Sequence, residues 1–138
     1  MSAISAHAEA ERALYQTLLG NALISGAVGQ RVYNQFAPQG TTATHVVFLF
    51  NSGADSNEQQ VRMVDLRYTV KVVSQDPTTA MKVAASIDAA LHEQALDIAS
   101  PYAVMRCQRI SIFKYHEIID RAAYHHQGGI YRIRISEE

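Results

Sequence analysis

The feature that most constrains the fold is a strict alternation of apolar and polar residues along positions 64 to 72. Apolar residues occupy every second position, namely Val64, Leu66, Tyr68, Val70 and Val72. Polar or charged residues fill the positions between them, namely Asp65, Arg67, Thr69 and Lys71. Because successive side chains of a strand point to opposite faces, this pattern predicts a strand with one buried and one open face.

Three further strands and two helices are predicted around this strand. The additional strands are expected at residues 45–50, 103–115 and 130–135, and the helices at residues 3–20 and 77–95. Asp76 supplies an N-cap for the second helix, and Pro77 stands at its first position, where a missing N–H costs nothing. The order helix, strand, strand, helix, strand, strand predicts an α+β fold: a mostly antiparallel four-stranded sheet with two helices packed on one face.

Length, composition and charge set the broad class of the protein. A chain of 138 residues is expected to form a single domain over residues 1–138. With 48% hydrophobic and 18% charged residues the chain is not typical of disorder, and its net charge of −1 provides no overall attraction to nucleic acid or to an acidic membrane. The apolar runs are too short for a bilayer span, and one cysteine excludes an internal disulfide.

The residues that most often carry chemistry do not form a recognisable catalytic or metal-binding pattern. His125 and His126 are adjacent, so in an extended segment they point to opposite faces and cannot chelate one ion together. Cys107 stands alone in a predicted strand, and Glu117 and Asp120 lie in what reads as a polar connection. We therefore expect no enzyme activity, no metal site and no cofactor.

The open face of the predicted sheet carries several basic residues. They are Arg67, Lys71, Arg132 and Arg134, and no predicted element remains to cover them. The sequence leaves three interpretations open: solvated charge, a subunit interface that pairs these residues with acidic groups of a neighbour, and a small nucleic-acid-binding module that follows a phosphate backbone. Tyr68 and Tyr131 are expected to point inward, so the stacking platform typical of single-strand binders is missing.

The order of several motifs resembles a known family. Residues 26–33 read Gly-x-Val-Gly-x-Arg-Val-Tyr, residues 37–40 read Ala-Pro-Gln-Gly, and an apolar strand follows. Residues 67–72, the helix after Asp76 and the closing strand at residues 131–135 continue the likeness over nearly the whole chain. In this order and spacing the chain resembles the tail-completion, or tail-terminator, proteins of long-tailed, siphovirus-like bacteriophages and related prophages.

The resemblance implies a structural virion protein. Members of such a family are expected to form a hexameric ring at the head-proximal end of the tail tube, to stop tube polymerisation and to join the tail to the head. The implied partners are further copies of the chain, the major tail tube protein and a head-completion or connector protein. Genome DNA would pass through the ring lumen without sequence-specific binding, and the protein would be made in the host cytoplasm and reside in the virion tail, with no membrane partner.

Three groups of residues are candidates for this role. The polar stretch 51–60 is expected to be a mobile loop that docks on the tube through Asn51, Asp55, Asn57 and Glu58, or else a solvated connection that contacts nothing. The basic face is expected to form the subunit interface through Arg67, Lys71, Arg132 and Arg134. The long connection before the first strand is expected to be anchored by Arg31, Tyr33, Phe36 and Pro38. In it Tyr33 and Phe36 would pack and Pro38 would fix the exit angle, although these residues are equally compatible with filling a core edge.

Overall fold

The computed structural model describes residues 3–58, 61–99 and 102–137. The helices and strands in that part of the chain are, in order, α1 (Ala3–Gly20), α2 (Ala22–Val28), β1 (Val32–Asn34), β2 (His45–Glu58), β3 (Val61–Ser74), α3 (Pro77–Leu91), β4 (Tyr102–Ile119) and β5 (Ala122–Glu137). None of these helices is both long enough and apolar enough to cross a lipid bilayer.

The strands form one mixed sheet in the order β1-β2-β3-β5-β4. Strands β2, β3, β5 and β4 pair antiparallel with their neighbours, whereas β1 pairs parallel with β2. The predicted four-stranded antiparallel sheet with two helices is therefore wrong, because the described chain has five strands and three helices. The two missed elements, α2 and β1, are adjacent in the sequence and both are short.

Local capping and pairing explain why α2 and β1 form. The Asn21 side chain accepts hydrogen bonds from the backbone N–H groups of Leu23 and Ile24, which caps a helix of seven residues. Strand β1 has three residues, in register from Val32 opposite Val46 to Asn34 opposite Phe48. A segment this short shows no readable periodicity, so it is specified by the strand beside it.

Helices α1 and α3 lie on the same face of the sheet. Tyr68 of β3 stands directly opposite Tyr131 of β5, and residues that face each other in an antiparallel pair share a face. The hydroxyl of Tyr68 donates to Glu11 of α1 at 3.3 Å, and that of Tyr131 donates to Asp88 of α3 at 3.0 Å. Both tyrosines are almost fully buried in a core that also contains Val70, Ile87 and Ile133.

Candidate functional site

The sheet face turned away from α1 and α3, which we call the open face, carries the predicted basic residues around one carboxylate. Arg132 donates two hydrogen bonds to Asp65, from Nε to Oδ1 at 2.9 Å and from Nη2 to Oδ2 at 2.8 Å. Nε of Arg134 lies 3.6 Å from the same Oδ2. The hydrogen bond from Arg132 is the main cause that lowers the pKa of the Asp65 carboxyl, so Asp65 is ionised at neutral pH.

The other two basic residues differ in their surroundings. Arg67 is exposed and stands opposite Arg132 across the β3–β5 pair. Lys71 Nζ binds the hydroxyl of Tyr115 at 3.0 Å and lies over its ring, 5.6 Å from the centroid. The sequence interpretation placed all four on one face but missed that Asp65 neutralises part of their charge. The available signal was Asp65 itself, two positions before Arg67 and therefore on the same face.

Apolar and imidazole groups line the opposite end of the open face. A cleft of about 390 Å³ lies there between the sheet and the connection that follows β1, with His45, His126, Val47 and Val73 among its lining residues. Of these, both histidines are buried, and burial lowers the pKa of each imidazole. Each is therefore neutral at neutral pH.

Of the predicted anchors of this connection, Arg31 and Tyr33 make contacts within the subunit, whereas Phe36 and Pro38 are exposed. Nε of Arg31 donates to the carbonyl of Thr44 at 2.8 Å, which ties the two ends of the connection together. Tyr33 lies in β1 with its ring centroid 5.9 Å from that of His45. Phe36 is 74% exposed, so the expectation that it packs within the subunit is wrong. Pro38 is exposed too, and its carbonyl accepts from the Thr41 hydroxyl at 2.6 Å in a local turn.

The segment predicted to be a docking loop is a strand over its described part. Residues 51–58, which we call the polar edge, form the second half of β2 and pair with β3 as far as Glu58 opposite Val61. The register shifts between Phe50 and Ser52, and there the Asn51 side chain accepts from the Thr69 hydroxyl at 2.8 Å. The prediction of a mobile loop is wrong for residues 51–58, because they pair with β3 as an antiparallel strand.

The four docking candidates are therefore strand residues. Asp55 is exposed and lies 3.9 Å from Arg62 across the pair. The side chains of Asn57 and Glu58, and the whole of residues 59 and 60, lie outside the part of the chain that the structure describes.

The ionisable groups in the described ranges do not converge on a metal or a nucleophile. No three His, Cys, Asp or Glu side chains within residues 3–58, 61–99 and 102–137 are placed to hold an ion. Cys107 is buried in β4, and burial raises the pKa of its thiol to about 12. The thiol is protonated at neutral pH and is a poor nucleophile.

One long stretch of edge strand carries an unusual exposed apolar surface. Residues 110–119 of β4, which we call the apolar edge, hold half of the large hydrophobic side chains that are exposed among the described residues. They are Ile110, Ile112, Tyr115, Ile118 and Ile119, with exposed fractions of 42%, 67%, 45%, 70% and 48%. Strand β4 is the last strand of the sheet, so this surface accompanies an unpaired strand edge. The sequence interpretation missed it because an apolar strand was expected to be buried.

Comparisons with known proteins agree with the resemblance seen in the sequence. The family model described as tail completion protein gp17 matches residues 12–125. Among solved structures, a chain from the virion of a native gene transfer agent particle is similar with a TM-score of 0.79 over 94% of this chain and 96% of that chain. The two chains are 18% identical, so this likeness shows a shared fold. No curated protein gives a significant match.

The family match spans most of the chain, from the second half of α1 into the start of β5. It includes the polar edge, the apolar edge and the central strand β3, which are the surfaces described above. The predicted resemblance is thereby confirmed: the chain belongs to the tail completion protein gp17 family, and it is a structural virion protein of the phage tail.

Proposed function

We propose that the protein forms a ring, expected to be hexameric, at the head-proximal end of the tail tube, where it stops tube polymerisation and joins the tail to the head. The observation that carries this proposal is the apolar edge. A soluble protein normally protects a strand edge with charge, proline or a covering segment, since an open edge pairs with other chains. Ile112 and Ile118 instead stand 67% and 70% exposed on such an edge. This surface suits a protein that functions by assembling.

The open face is proposed to line the ring. In a closed ring the outer circumference is the longer one, so the bulkier helical layer fits best on the outside, as helices surround a barrel of strands. Arg67, Lys71, Arg132 and Arg134 would then face the lumen, with Asp65 balancing part of their charge. A partly neutralised lumen would let DNA pass without holding it.

The two ends of the sheet are proposed to contact the two other partners. The end that holds Asp55, Asn57 and Glu58 is the candidate for contact with the major tail tube protein. The opposite end, which includes the cleft beneath Phe36, is the candidate for contact with the head-completion protein. An exposed phenylalanine beside a cleft fits a docking surface, because aromatic side chains are enriched at interfaces.

Particles assembled without this protein provide the test. We expect electron micrographs to show tails of uncontrolled length and heads without tails, and supply of the wild-type chain to restore normal particles. The Leu23→Lys variant, which alters a 74% exposed residue of α2 and neither β2 nor β4, should restore them equally well. Tails of normal length joined to heads in the absence of the protein would refute the proposal.

A further inference from the structure

The outer side of β4 is covered along its first half and open along its second. The backbone N–H of Glu93 donates to the carbonyl of Cys107 at 2.7 Å, and the N–H of Arg109 donates to Nδ1 of His92 at 3.0 Å. The segment after α3 therefore satisfies the outward backbone groups of β4 at these positions. From Ser111 onward β4 pairs with β5 without a further register shift, and no other described strand pairs with it.

Strand β2 shows the reverse arrangement. Strand β1 covers its first half, from Val46 to Phe48, and the N–H of Gln35 donates to the carbonyl of Phe48 at 2.8 Å. Beyond Asn51, within the part that the structure describes, β2 pairs with β3 and with no other strand. The polar edge is thus open on its outer side.

The two open edges lie at diagonally opposite corners of the sheet. Across one end of the sheet, Asn57 faces Arg62, which faces Glu137. Glu137 in turn faces Tyr102, so the polar edge lies at the end of the sheet where β4 begins. The apolar edge lies at the other end of the sheet, where β2 begins. Three antiparallel pairings separate β2 from β4, so the two strands run in opposite directions. Copies placed side by side in one orientation would therefore bring β4 of one copy antiparallel to β2 of the next.

We propose that the apolar edge of one copy pairs as an antiparallel strand with the polar edge of the next copy, so that the sheet continues head to tail around the ring. The inference rests on the proposed function, and it names the contact that builds the ring. When the apolar edge of one copy pairs with the polar edge of another, the growing assembly still has one open edge of each kind. Further copies can therefore add until the ring closes. Pairing of two apolar edges would stop at a dimer.

Length and one available ion pair favour this pairing. The polar edge has eight residues and the apolar edge ten, so their ladders match. The polar edge contains two carboxylates, Asp55 and Glu58, and no basic residue. The apolar edge contains one basic residue, Lys114, and one carboxylate, Glu117. Arg106 and Arg109 lie in the covered half of β4 and are paired with Glu93 and Asp88, so Lys114 is the basic residue that this edge offers to Asp55 or Glu58.

The covered halves of the two edges also determine the stagger. Because β1 blocks the first half of β2, the neighbouring β4 is restricted to residues beyond Asn51. Successive copies are then shifted along the strand direction, and a staggered sheet closes into a ring only when its strands tilt relative to the axis.

Two variants separate the edges. Ile112→Lys combined with Ile118→Lys disables the apolar edge, and Ala54→Lys combined with Asp55→Lys disables the polar edge. All four residues are exposed, so thermal melting should show that each variant folds. By analytical ultracentrifugation the wild-type chain and the Leu23→Lys control should form the ring, whereas each double variant alone should be a monomer. Each isoleucine that the proposed contact would bury should, when replaced by lysine, weaken association by at least about tenfold.

An equimolar mixture of the two double variants gives the decisive measurement. Each variant retains the edge that the other has lost, so the mixture should form a one-to-one heterodimer that cannot grow. A mixture that stays monomeric, a polar-edge variant that still forms rings, or a wild-type chain that remains a monomer at its highest soluble concentration would each overturn the pairing. If the pairing fails while particles lacking the protein still have uncontrolled tails, the proposed function stands and a different contact builds the ring.

Discussion

The surroundings of His126 on the open face determine its protonation state and its hydrogen bonding. Its Nε2 lies 2.7 Å from Oε1 of Glu117, and its ring stacks on Tyr115 with the centroids 4.5 Å apart. Burial is the largest influence and lowers the pKa of His126, against the smaller opposing effect of the Glu117 carboxylate. Nδ1 is buried with no hydrogen-bond partner among the described residues. These observations fit a neutral imidazole that donates from Nε2–H and leaves a lone pair on Nδ1 unpaired, which costs less than an unpaired N–H.

The depressed pKa of His126 predicts acid sensitivity. As the pH falls, His126 takes up a proton near pH 6.5 in the unfolded chain but only at a lower pH in the folded protein. The stabilisation that comes from the neutral imidazole is therefore present above about pH 6.5 and is lost as the pH falls below it. We expect His126→Gln to reduce the slope of unfolding free energy against pH between about pH 7.5 and 5, by at most about 1.4 kcal/mol per pH unit, the limit for one proton.

Urea unfolding at a series of pH values provides the measurement. The pKa of His45 is lowered as well, so some slope should remain in the His126→Gln variant. His116→Gln, which makes the same substitution at an exposed histidine of β4, serves as the matched control. Identical slopes in wild type and His126→Gln would contradict the assignment of a neutral buried imidazole.

At the scale of elements, β5 depends on a close approach of backbones at Gly128. A methyl group there would lie 2.1 Å from the carbonyl oxygen of Val70 and 2.7 Å from Cα of Lys71. We expect Gly128→Ala to destabilise the protein by about 1–3 kcal/mol, because strand β3 has no room to move. Gly26 of α2 has no atom within 4 Å of the corresponding position, so Gly26→Ala should instead stabilise by about 0.5–1 kcal/mol. Thermal melts of the two variants that shift in the same direction would contradict this account.

The elements that sequence patterns predicted are those with their own local signal. Strand β3 follows from alternation, and α3 begins where expected because Asp76 accepts from the N–H of Thr78 at 3.1 Å. The helix ends at Leu91, four residues before the predicted end, and Glu93 adopts a positive φ of 57° just beyond it. The polar edge has the composition of a loop and becomes a strand through pairing with β3, so tertiary context overrides its local preference.

For the whole molecule, the candidate surfaces were predictable only in part. The alternation in β3 and β5 correctly places Arg67, Lys71, Arg132 and Arg134 together on one face. Which carboxylate these residues contact depends on the register of β3 against β5. In the observed register Asp65 stands opposite Arg134 and beside the pair formed by Arg67 and Arg132. The open halves of β2 and β4 depend on where β1 and the segment after α3 lie, and these positions are set by packing rather than by local pattern.

The charge on the open face also predicts how the protein treats DNA. Arg67, Lys71, Arg132 and Arg134 share the face with Asp65, and Arg106, which stands opposite Arg134, is paired with Glu93. No more than about three phosphates are therefore neutralised, and the slope of log Kobs against log salt should be no steeper than about −3. Asp65→Asn releases Arg132 and Arg134 and should steepen this slope by about one.

Fluorescence anisotropy of a labelled duplex across a salt series checks this. Lys82→Gln, on the exposed side of α3, should leave the slope unchanged because it lies on the helical layer, away from the open face. Binding that remains tight at physiological salt with a slope of about −6 would indicate that a wider basic surface holds DNA. The nucleic-acid-binding interpretation of the open face would then replace that of a partly neutralised lumen, since a surface with that many phosphate contacts would retain the DNA that a tail must release.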